Sequence, residues 1–200
     1  MNGQEEYDKH QEYIETQQLD KLIDFKENID FQEGIFDAVS GKLEIPFPPE
    51  PADLVRLHKY IRERKCFTVL EFGAGYSTIV MADALNKNQE DWKNLSRKPE
   101  IRNRFMFKLF SVDSSQKWID NLKTRFPHHL IDFVHFNATE VEIGKFNGQL
   151  CHYCTNIPDI VPDFIYLDGP FPKDVKGNIN GLSFQCDERT VMEADLLLME

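Results

Sequence analysis

Three carboxylic acids in this sequence stand at or near the ends of short apolar runs. Glu71 lies in TVLEFGAGYST, Asp113 ends FKLFSVD, and Asp168 ends DFIYLD. Gly73 and Gly75 follow shortly after Glu71, and glycine lets the backbone approach a ligand closely. In an open parallel sheet, ligands bind at the carboxyl ends of the strands, where the winding reverses. The five residues therefore predict one ligand site at the ends of neighbouring strands.

The glycine motif departs from the fingerprint of dinucleotide-binding proteins. That fingerprint, G-x-G-x-x-G, requires a third glycine where this sequence has Thr78. Its ribose-binding acid follows the motif by about 20 residues, whereas Asp113 comes much later in the chain. Glu71 would also bring negative charge towards a pyrophosphate. No Gly-Lys-Ser/Thr follows the glycines, so a P-loop is excluded as well.

A ligand that carries a ribose and positive charge but no phosphate suits these residues better. Glu71 can hold an ammonium group, directly or through water, and the two oxygens of Asp113 can accept hydrogen bonds from both ribose hydroxyls. S-adenosylmethionine has a ribose, an ammonium group and a sulfonium group. The residue types at the strand ends therefore predict S-adenosylmethionine as the cofactor.

Strands and helices must alternate along the chain to bring these residues together. The candidate strands are FTVLEF (67–72), FKLFSVD (107–113), LIDFVHF (130–136) and DFIYLD (163–168), with helices at STIVMADALNK (77–87) and SQKWIDNLKTRF (116–126). Apolar strands that alternate with helices pair in parallel through right-handed crossovers. The expected fold class is α/β, a doubly wound parallel sheet with the strand order 3-2-1-4. The polar segment 86–104 is expected to be a surface insertion that carries a helical turn or two.

Residues 1–50 are expected to form an acidic, mostly helical N-terminal extension that ends in a proline-rich linker, ahead of a domain of residues 51–200. The spacing of Leu19, Leu22 and Ile23 fits one face of a short helix. In IPFPPEPAD (45–53) the prolines fix φ and exclude helix from the residue before each of them. Asp53 or a neighbour is expected to cap the helix LVRLHKYIRERK that follows.

Composition and charge narrow the class of protein. The 200 residues suffice for one α/β domain, and the formal net charge of −11 argues against non-specific nucleic-acid binding, which needs a basic surface. No apolar run approaches the ~20 residues of a membrane span, and no signal peptide is recognisable. Four cysteines in such a chain are expected to be reduced thiols. These features predict a cytoplasmic protein without nucleic-acid or membrane partners.

The segment CHYC places Cys151 and Cys154 at a spacing that zinc sites use. A structural zinc site needs four ligands, and His152 and the distant Cys186 could complete the set. Only one such pair occurs in the sequence, so buried or free thiols are the expected interpretation, and no metal site is predicted.

Three motifs, VLEFGAGYST, LFSVDSS and FIYLDGP, occur in the order and at the spacing found in class I S-adenosylmethionine-dependent methyltransferases. The sequence from about Pro51 to Glu200 resembles that family. The resemblance implies a Rossmann-like fold and methyl transfer from S-adenosylmethionine, and the acidic cleft favours a small neutral or cationic acceptor. The residues implied for the cofactor site are Glu71, Gly73 and Gly75 at the methionine part with Tyr76 and Ser77 beside them, Asp113 at the ribose, and Ser114 and Asn137 at the adenine.

By the same resemblance, Asp168 in DGP lies where the transferred methyl group points. Its carboxylate would orient the acceptor or act as a base. A metal-binding role, as in some O-methyltransferases, is not supported, because the further ligands would come later than Glu200. A plain turn residue is the alternative for Asp168, as it is for Asn137.

The sequence also departs from the family, whose sheet has three more strands after the fourth. DERTVMEADLLLME (187–200) is expected to form an amphipathic helix, so the 200 residues would be a fragment or an abbreviated fold. An uncovered fourth strand invites association, which predicts a homo-oligomer. Two alternatives stay open: a non-catalytic cofactor-binding or scaffold relative, and an aminopropyltransferase-like enzyme of the same fold.

Overall fold

The computed structural model describes residues 3–25, 36–37, 42–43, 48–185 and 192–199. Its helices are α1 (Gly3–Gln17), α2 (Pro51–Arg64), α3 (Tyr76–Lys93), α4 (Gln116–Arg125) and α5 (Asp195–Leu198). Its strands are β1 (Phe36–Asp37), β2 (Lys42–Leu43), β3 (Thr68–Phe72), β4 (Lys108–Asp113), β5 (Val134–Ala138), β6 (Val141–Phe146), β7 (Gln149–Cys154), β8 (Phe164–Leu167) and β9 (Val175–Lys176). Within these ranges, no helix has both the length and the apolar character needed to cross a membrane.

Four parallel strands form the central sheet, in the order β5-β4-β3-β8. They correspond to the four apolar runs of the sequence, except that the run predicted as strand 130–136 is a 3₁₀ helix as far as Phe133 and a strand only from Val134. The predicted α/β class with a parallel sheet is confirmed. Strands β4 and β5 are added on one side of β3, and β8 is then added on its other side. The carboxyl ends of β3 and β8 therefore border the switch point at which such sheets bind ligands. The predicted order 3-2-1-4 is not matched as written, because β6 and β7 intervene between β5 and β8. Counted from β3, the order is 3-2-1-6.

A second sheet of three strands, β7-β6-β9, follows β5 and was not predicted. Strands β6 and β7 pair antiparallel as a hairpin, and β9 joins β6 in parallel. Asn147 and Gly148 form the hairpin turn with φ values of 49° and 83°, as a two-residue turn of type I′ requires. The crossover from β5 to β8 therefore consists of a hairpin and an extended segment, without a helix.

The two faces of the central sheet are covered differently. Side chains alternate between the faces along each strand. Val69 and Leu109 pack with side chains of α2, α3 and α4, whereas Leu70 and Phe110 lie in a separate cluster. That second cluster is completed mainly by residues outside the long helices, including Phe105, Ile157, Ile160 and Met199. The three long helices α2, α3 and α4 thus cover one face, which differs from the doubly wound arrangement that was expected.

Several element boundaries differ from the predictions. Helix α2 begins at Pro51, and the Glu50 side chain caps it by accepting a hydrogen bond from Ala52 N at 3.4 Å, so Asp53 lies inside the first turn. Helix α3 was predicted to end at residue 87 but extends to Lys93, which gives the segment 86–104 the helical turn or two that was expected in it. Of the predicted C-terminal helix, residues 187–191 and 200 lie outside the described residues. In the part that is described, only α5 is helical.

The N-terminal helix α1 packs on α2. Ile14 and Leu19 are buried against Val55 of α2. The predicted face of Leu19 and Leu22 is not part of a regular helix, because α1 ends at Gln17 and a single 3₁₀ turn follows. Most of residues 26–50, including the start of the proline-rich linker, lies outside the described residues.

A chain of polar side chains ties α1 to α2 and α3. Tyr13 Oη and His58 Nδ1 are 2.8 Å apart, and His58 Nε2 lies 3.0 Å from Asp83 Oδ2. Burial lowers the pKa of His58, so the ring is neutral. With the proton on Nε2, His58 donates to Asp83 and accepts from the Tyr13 hydroxyl, which satisfies every group in the chain.

We expect Tyr13→Phe to lower the free energy of unfolding by about 0.5–1.5 kcal/mol, because it leaves Nδ1 of the buried His58 without its donor. Urea denaturation followed by circular dichroism measures the loss. Tyr7→Phe is the matched control, since Tyr7 is 55% exposed on the same helix. Equal effects of the two substitutions would show that this hydrogen bond does not anchor α1.

Candidate functional site

The loop from Gly73 to Gly75 lies at the switch point between β3 and β8. Gly73 N donates to Val112 O at 2.8 Å, and Asp168 N donates to Phe72 O at 2.9 Å. Gly73 has a φ of 97°, and a Cβ atom at this position would lie 2.8 Å from Asp168 O. Glycine is therefore required at position 73 by the left-handed backbone and by the close contact with the DGP turn.

The Glu71 carboxylate lies behind this loop and is fully buried. It accepts hydrogen bonds from Ser77 Oγ at 2.5 Å and Thr78 Oγ1 at 2.7 Å, both in α3, and from Ser111 Oγ at 2.7 Å in β4. A single carboxylate thus joins the end of β3 to the first turn of α3 and to the neighbouring strand.

This environment changes what Glu71 can do. Burial raises the pKa of Glu71 to about 7, the three hydroxyl groups oppose that rise, and the nearby Asp168 carboxylate adds to it. Thr78, which stands in place of the third glycine, also accepts a hydrogen bond from Gly75 N at 2.9 Å. Glu71 therefore fixes the glycine loop from behind, and its direct contact with an ammonium group stays a prediction.

Asp113 holds the same loop from the other side. Its Oδ2 atom accepts from Ala74 N at 2.9 Å, and its Oδ1 atom accepts from Ser115 N at 2.7 Å. The residue is half-buried, and burial raises the pKa of its carboxyl group, with a further contribution from Asp174. Each carboxylate oxygen can accept a second hydrogen bond, so Asp113 can still bind hydroxyl groups.

The other residues predicted for the cofactor site are distributed unevenly. Ser114 lies beside Asp113 and donates to Asp174 Oδ2 at 3.1 Å. Tyr76 begins α3, and its ring lies under the Arg125 guanidinium, 5.5 Å from the ring centroid. Asn137 lies in β5, opposite Val112 in the sheet, and faces an open depression at the sheet edge with Lys123 and Phe136. The structure therefore brings Gly73, Asp113 and Ser114 together and places Asn137 apart from them.

The space between these residues is small. The cavity at the strand ends has a volume of about 10 Å³, and its walls are formed by Phe72, Gly73, Val112, Asp113, Ser114, Val141, Cys154, Pro170 and Glu193. Such a volume holds one water molecule at most, whereas pockets for drug-sized ligands measure about 300–1,000 Å³. The polar groups suit a ribose and a cation, but in this arrangement the cavity does not hold a nucleoside.

Two parts of the cavity wall were missed in the sequence. Val141 and Cys154 belong to the hairpin β6–β7, and Glu193 belongs to the segment 192–199. The dipeptide Asn147-Gly148 is a strong local signal for a hairpin and could have located β6 and β7. No comparable local signal marks Glu193, because it is positioned by backbone pairing with His152, far away in the chain.

Asp168 lies at the rim of the site and is exposed to solvent. Incomplete hydration raises the pKa of its carboxyl group, and the negative charges of Asp53 and Asp113 raise it further. Asp53 is exposed in the first turn of α2, where it also binds Arg56 at 3.0 Å. The rim therefore carries negative charge that Arg56 offsets only at Asp53, and this charge favours a cationic ligand over a phosphate.

The cysteines do not form a metal centre in the described part of the chain. Cys66, Cys151 and Cys154 are free thiols, and Cys186 lies outside the described residues. Within those residues, no group of three or more His, Cys, Asp or Glu side chains could hold a metal ion.

Comparisons with known proteins do not assign the site. No family model, no curated protein and no solved structure matches this chain.

Gly73→Ala and Gly75→Ala should differ sharply in their effect on stability. A Cβ atom at position 73 would collide with Asp168 O on a backbone of positive φ, whereas the nearest atom to a Cβ at position 75 is Ser77 Oγ at 3.8 Å. We expect Gly73→Ala to lower the free energy of unfolding by more than about 1 kcal/mol, and Gly75→Ala to change it by less than about 0.5 kcal/mol. Urea denaturation tests this, and equal losses would contradict the assigned contact.

Glu71 should make stability depend on pH. Its folded pKa of about 7 lies above its ordinary value of 4.5, so the folded protein keeps a proton that the unfolded chain releases. The contribution of the protonated group is complete below pH 4.5 and is lost as the pH rises to 7. Between pH 5 and pH 8, we expect wild type to lose about 2–3 kcal/mol relative to Glu71→Gln. A stability difference that is independent of pH would contradict the buried, raised carboxyl group.

Proposed function

We propose that this protein is an S-adenosylmethionine-dependent methyltransferase that acts on a small-molecule acceptor. The observation that carries the proposal is the position of Asp113. Its carboxylate lines the strand-end cavity, holds the centre of the glycine loop through Ala74 N, and keeps acceptor capacity on both oxygens. A ribose needs an acceptor of this kind at the end of the strand beside the glycine loop.

Charge supports a cationic nucleoside as the ligand. Asp113 and Asp168 lie on the two sides of the glycine loop, and Asp53 adds a third negative charge close to Asp168. A phosphate would be repelled by this group of carboxylates, while an ammonium or sulfonium group would be attracted. Glu71 contributes from behind by fixing the loop.

Asp168 is the residue that we assign to the acceptor. When bound, S-adenosylmethionine supplies the methyl group for an in-line displacement. The raised pKa of Asp168 suits a group that accepts a proton from an acceptor hydroxyl or amine, and its exposure leaves it accessible. Asp168 would orient the acceptor at the rim and remove that proton.

A non-catalytic relative of the same fold is the second candidate. It is favoured by the cavity of about 10 Å³, which requires the surrounding segments to move before a nucleoside can bind.

We also propose that the protein is cytoplasmic. We further propose a homo-oligomer in which a second copy of the chain covers the edge of β8. Leu167 is exposed there, and an unpaired strand edge favours association.

Isothermal titration calorimetry with S-adenosylmethionine, S-adenosylhomocysteine and NAD tests the cofactor. We expect the first two to bind and NAD not to bind. Asp113→Asn should weaken binding of S-adenosylmethionine about 10- to 100-fold, since a charge-assisted hydrogen bond contributes about 1.5–3 kcal/mol. Asp120→Asn, an exposed change on α4, is the control and should leave binding unchanged. Tight NAD binding without a signal for S-adenosylmethionine would overturn the proposal.

Methyl transfer is tested separately, with methyl-labelled S-adenosylmethionine and a small-molecule cell extract. We expect wild type to label a small molecule, and Asp168→Asn to bind the cofactor as wild type does but to transfer little label. Binding without any transfer by wild type would favour the non-catalytic candidate. Transfer at an unchanged rate by Asp168→Asn would show that Asp168 does not act on the acceptor.

A further inference from the structure

We infer that Glu193 is a ligand-binding residue of the strand-end cavity, and that its carboxylate binds the ammonium group of the ligand. This inference rests on the proposed function, since it assigns one contact within the same site. It gives to Glu193 the role that the sequence suggested for Glu71.

Backbone pairing with β7 places Glu193 at the cavity. His152 N donates to Met192 O at 2.9 Å, and Ala194 N donates to His152 O at 2.9 Å. These two bonds hold residues 192–194 alongside the hairpin as a parallel bridge. Glu193 then lines the same cavity as Cys154, Gly73 and Asp113.

The polar atoms on this wall lack partners. Glu193 Oε1 is buried and has no hydrogen-bond partner among the described residues, and the same holds for Asp195 Oδ2 and for both ring nitrogens of His152. Asp195 and His152 are only 2% and 1% exposed. Leaving a buried polar group unpaired is unfavourable, and such groups are few in native proteins, so each of them calls for a partner such as a water, an ion or a ligand.

The charge of the wall indicates the kind of partner. Burial and the neighbouring Asp195 carboxylate raise the pKa of Glu193 to about 7. Burial raises the pKa of the Cys154 thiol, and the negative charges of Asp195, Glu193 and Asp113 raise it further. A cationic group with several N–H donors would satisfy both the charge and the unpaired oxygens.

Glu71 and Glu193 differ in whether protein groups already donate hydrogen bonds to their carboxylate oxygens. Three hydroxyl groups already donate to the Glu71 carboxylate. Among the described residues, no group donates a hydrogen bond to Glu193 Oε1. An ammonium group can therefore bind Glu193 without displacing a hydrogen bond that holds the glycine loop.

The wall that carries Glu193 is also the side on which the cavity can widen. The opposite side consists of strand ends held by the parallel sheet. Residues 192–195 are held on β7 by the two bonds to His152 and by Asp195 Oδ1, which accepts from Cys154 N at 2.8 Å. A ligand that pushes this wall outwards would still face the Glu193 carboxylate.

Three ligands that differ in charge test the inference by calorimetry. S-adenosylmethionine and S-adenosylhomocysteine carry the ammonium group, while 5′-methylthioadenosine has the nucleoside without it. We expect Glu193→Gln to weaken binding of the first two at least 10-fold and to change binding of methylthioadenosine less than twofold. Glu90→Gln, on the exposed surface of α3, removes the same charge and should change none of the three.

The outcomes separate this inference from the proposed function. If wild type binds none of the ligands, the proposed function fails. If wild type binds them and Glu193→Gln binds all three equally well, or loses all three equally, Glu193 does not bind the ammonium group. Should Glu193→Gln not fold, as judged by its thermal melt, Glu193→Asp must still weaken S-adenosylmethionine at least threefold more than methylthioadenosine, or the inference is overturned.

Discussion

At the end of β3, a carboxylate without access to solvent accepts hydrogen bonds from three hydroxyl groups of two other elements. Burying a carboxylate is unfavourable by several kcal/mol unless hydrogen bonds compensate. Ser77, Thr78 and Ser111 supply that compensation for Glu71. Because the cost of losing any one of them is high, the first turn of α3 and the strand β4 are held in fixed positions around β3. The path of the glycine loop follows from that restraint.

The loop itself is held between two acids with different tasks. Glu71 lies on the inner side and accepts hydrogen bonds from three protein hydroxyl groups. Asp113 lies on the outer side and binds Ala74 N, while Trp118 Nε1 donates to Ala74 O at 2.5 Å. The central residue of the loop, Ala74, is therefore hydrogen-bonded through both its N–H and its C=O groups. The result is a rigid loop whose outer acid still faces the cavity, as a preorganised binding site requires.

The two sides of the cavity differ in how well their polar groups are satisfied. On the sheet side, the carboxylates of Glu71 and Asp113 have donors from α3, β4 and the loops. On the side formed by β7 and the segment 192–199, His152, Glu193 and Asp195 keep buried atoms without partners in the described structure. We infer from this contrast that the sheet side is rigid and that the side formed by β7 and the segment 192–199 can adjust. A cavity too small for a nucleoside and a wall with unpaired carboxylate oxygens have a common explanation if that wall adjusts around a cationic ligand.

The sequence by itself determined the parts of this protein that depend on local patterns. Apolar runs located β3, β4, β8 and part of β5, and the acids that end two of these runs placed Asp113 and Asp168 at strand ends, since alternation of strands and helices specifies a parallel sheet. The Asn147-Gly148 turn was equally local, so the hairpin that it closes could also have been predicted. Tertiary structure alone decided why position 73 must be glycine, which is its contact with the backbone of Asp168. It also decided that the Glu71 carboxylate accepts a hydrogen bond from Ser111 as well as from Ser77 and Thr78, and that Glu193 lines the cavity through pairing with His152. These three outcomes arise between residues distant in the chain, and no local periodicity or propensity encodes which of them will meet.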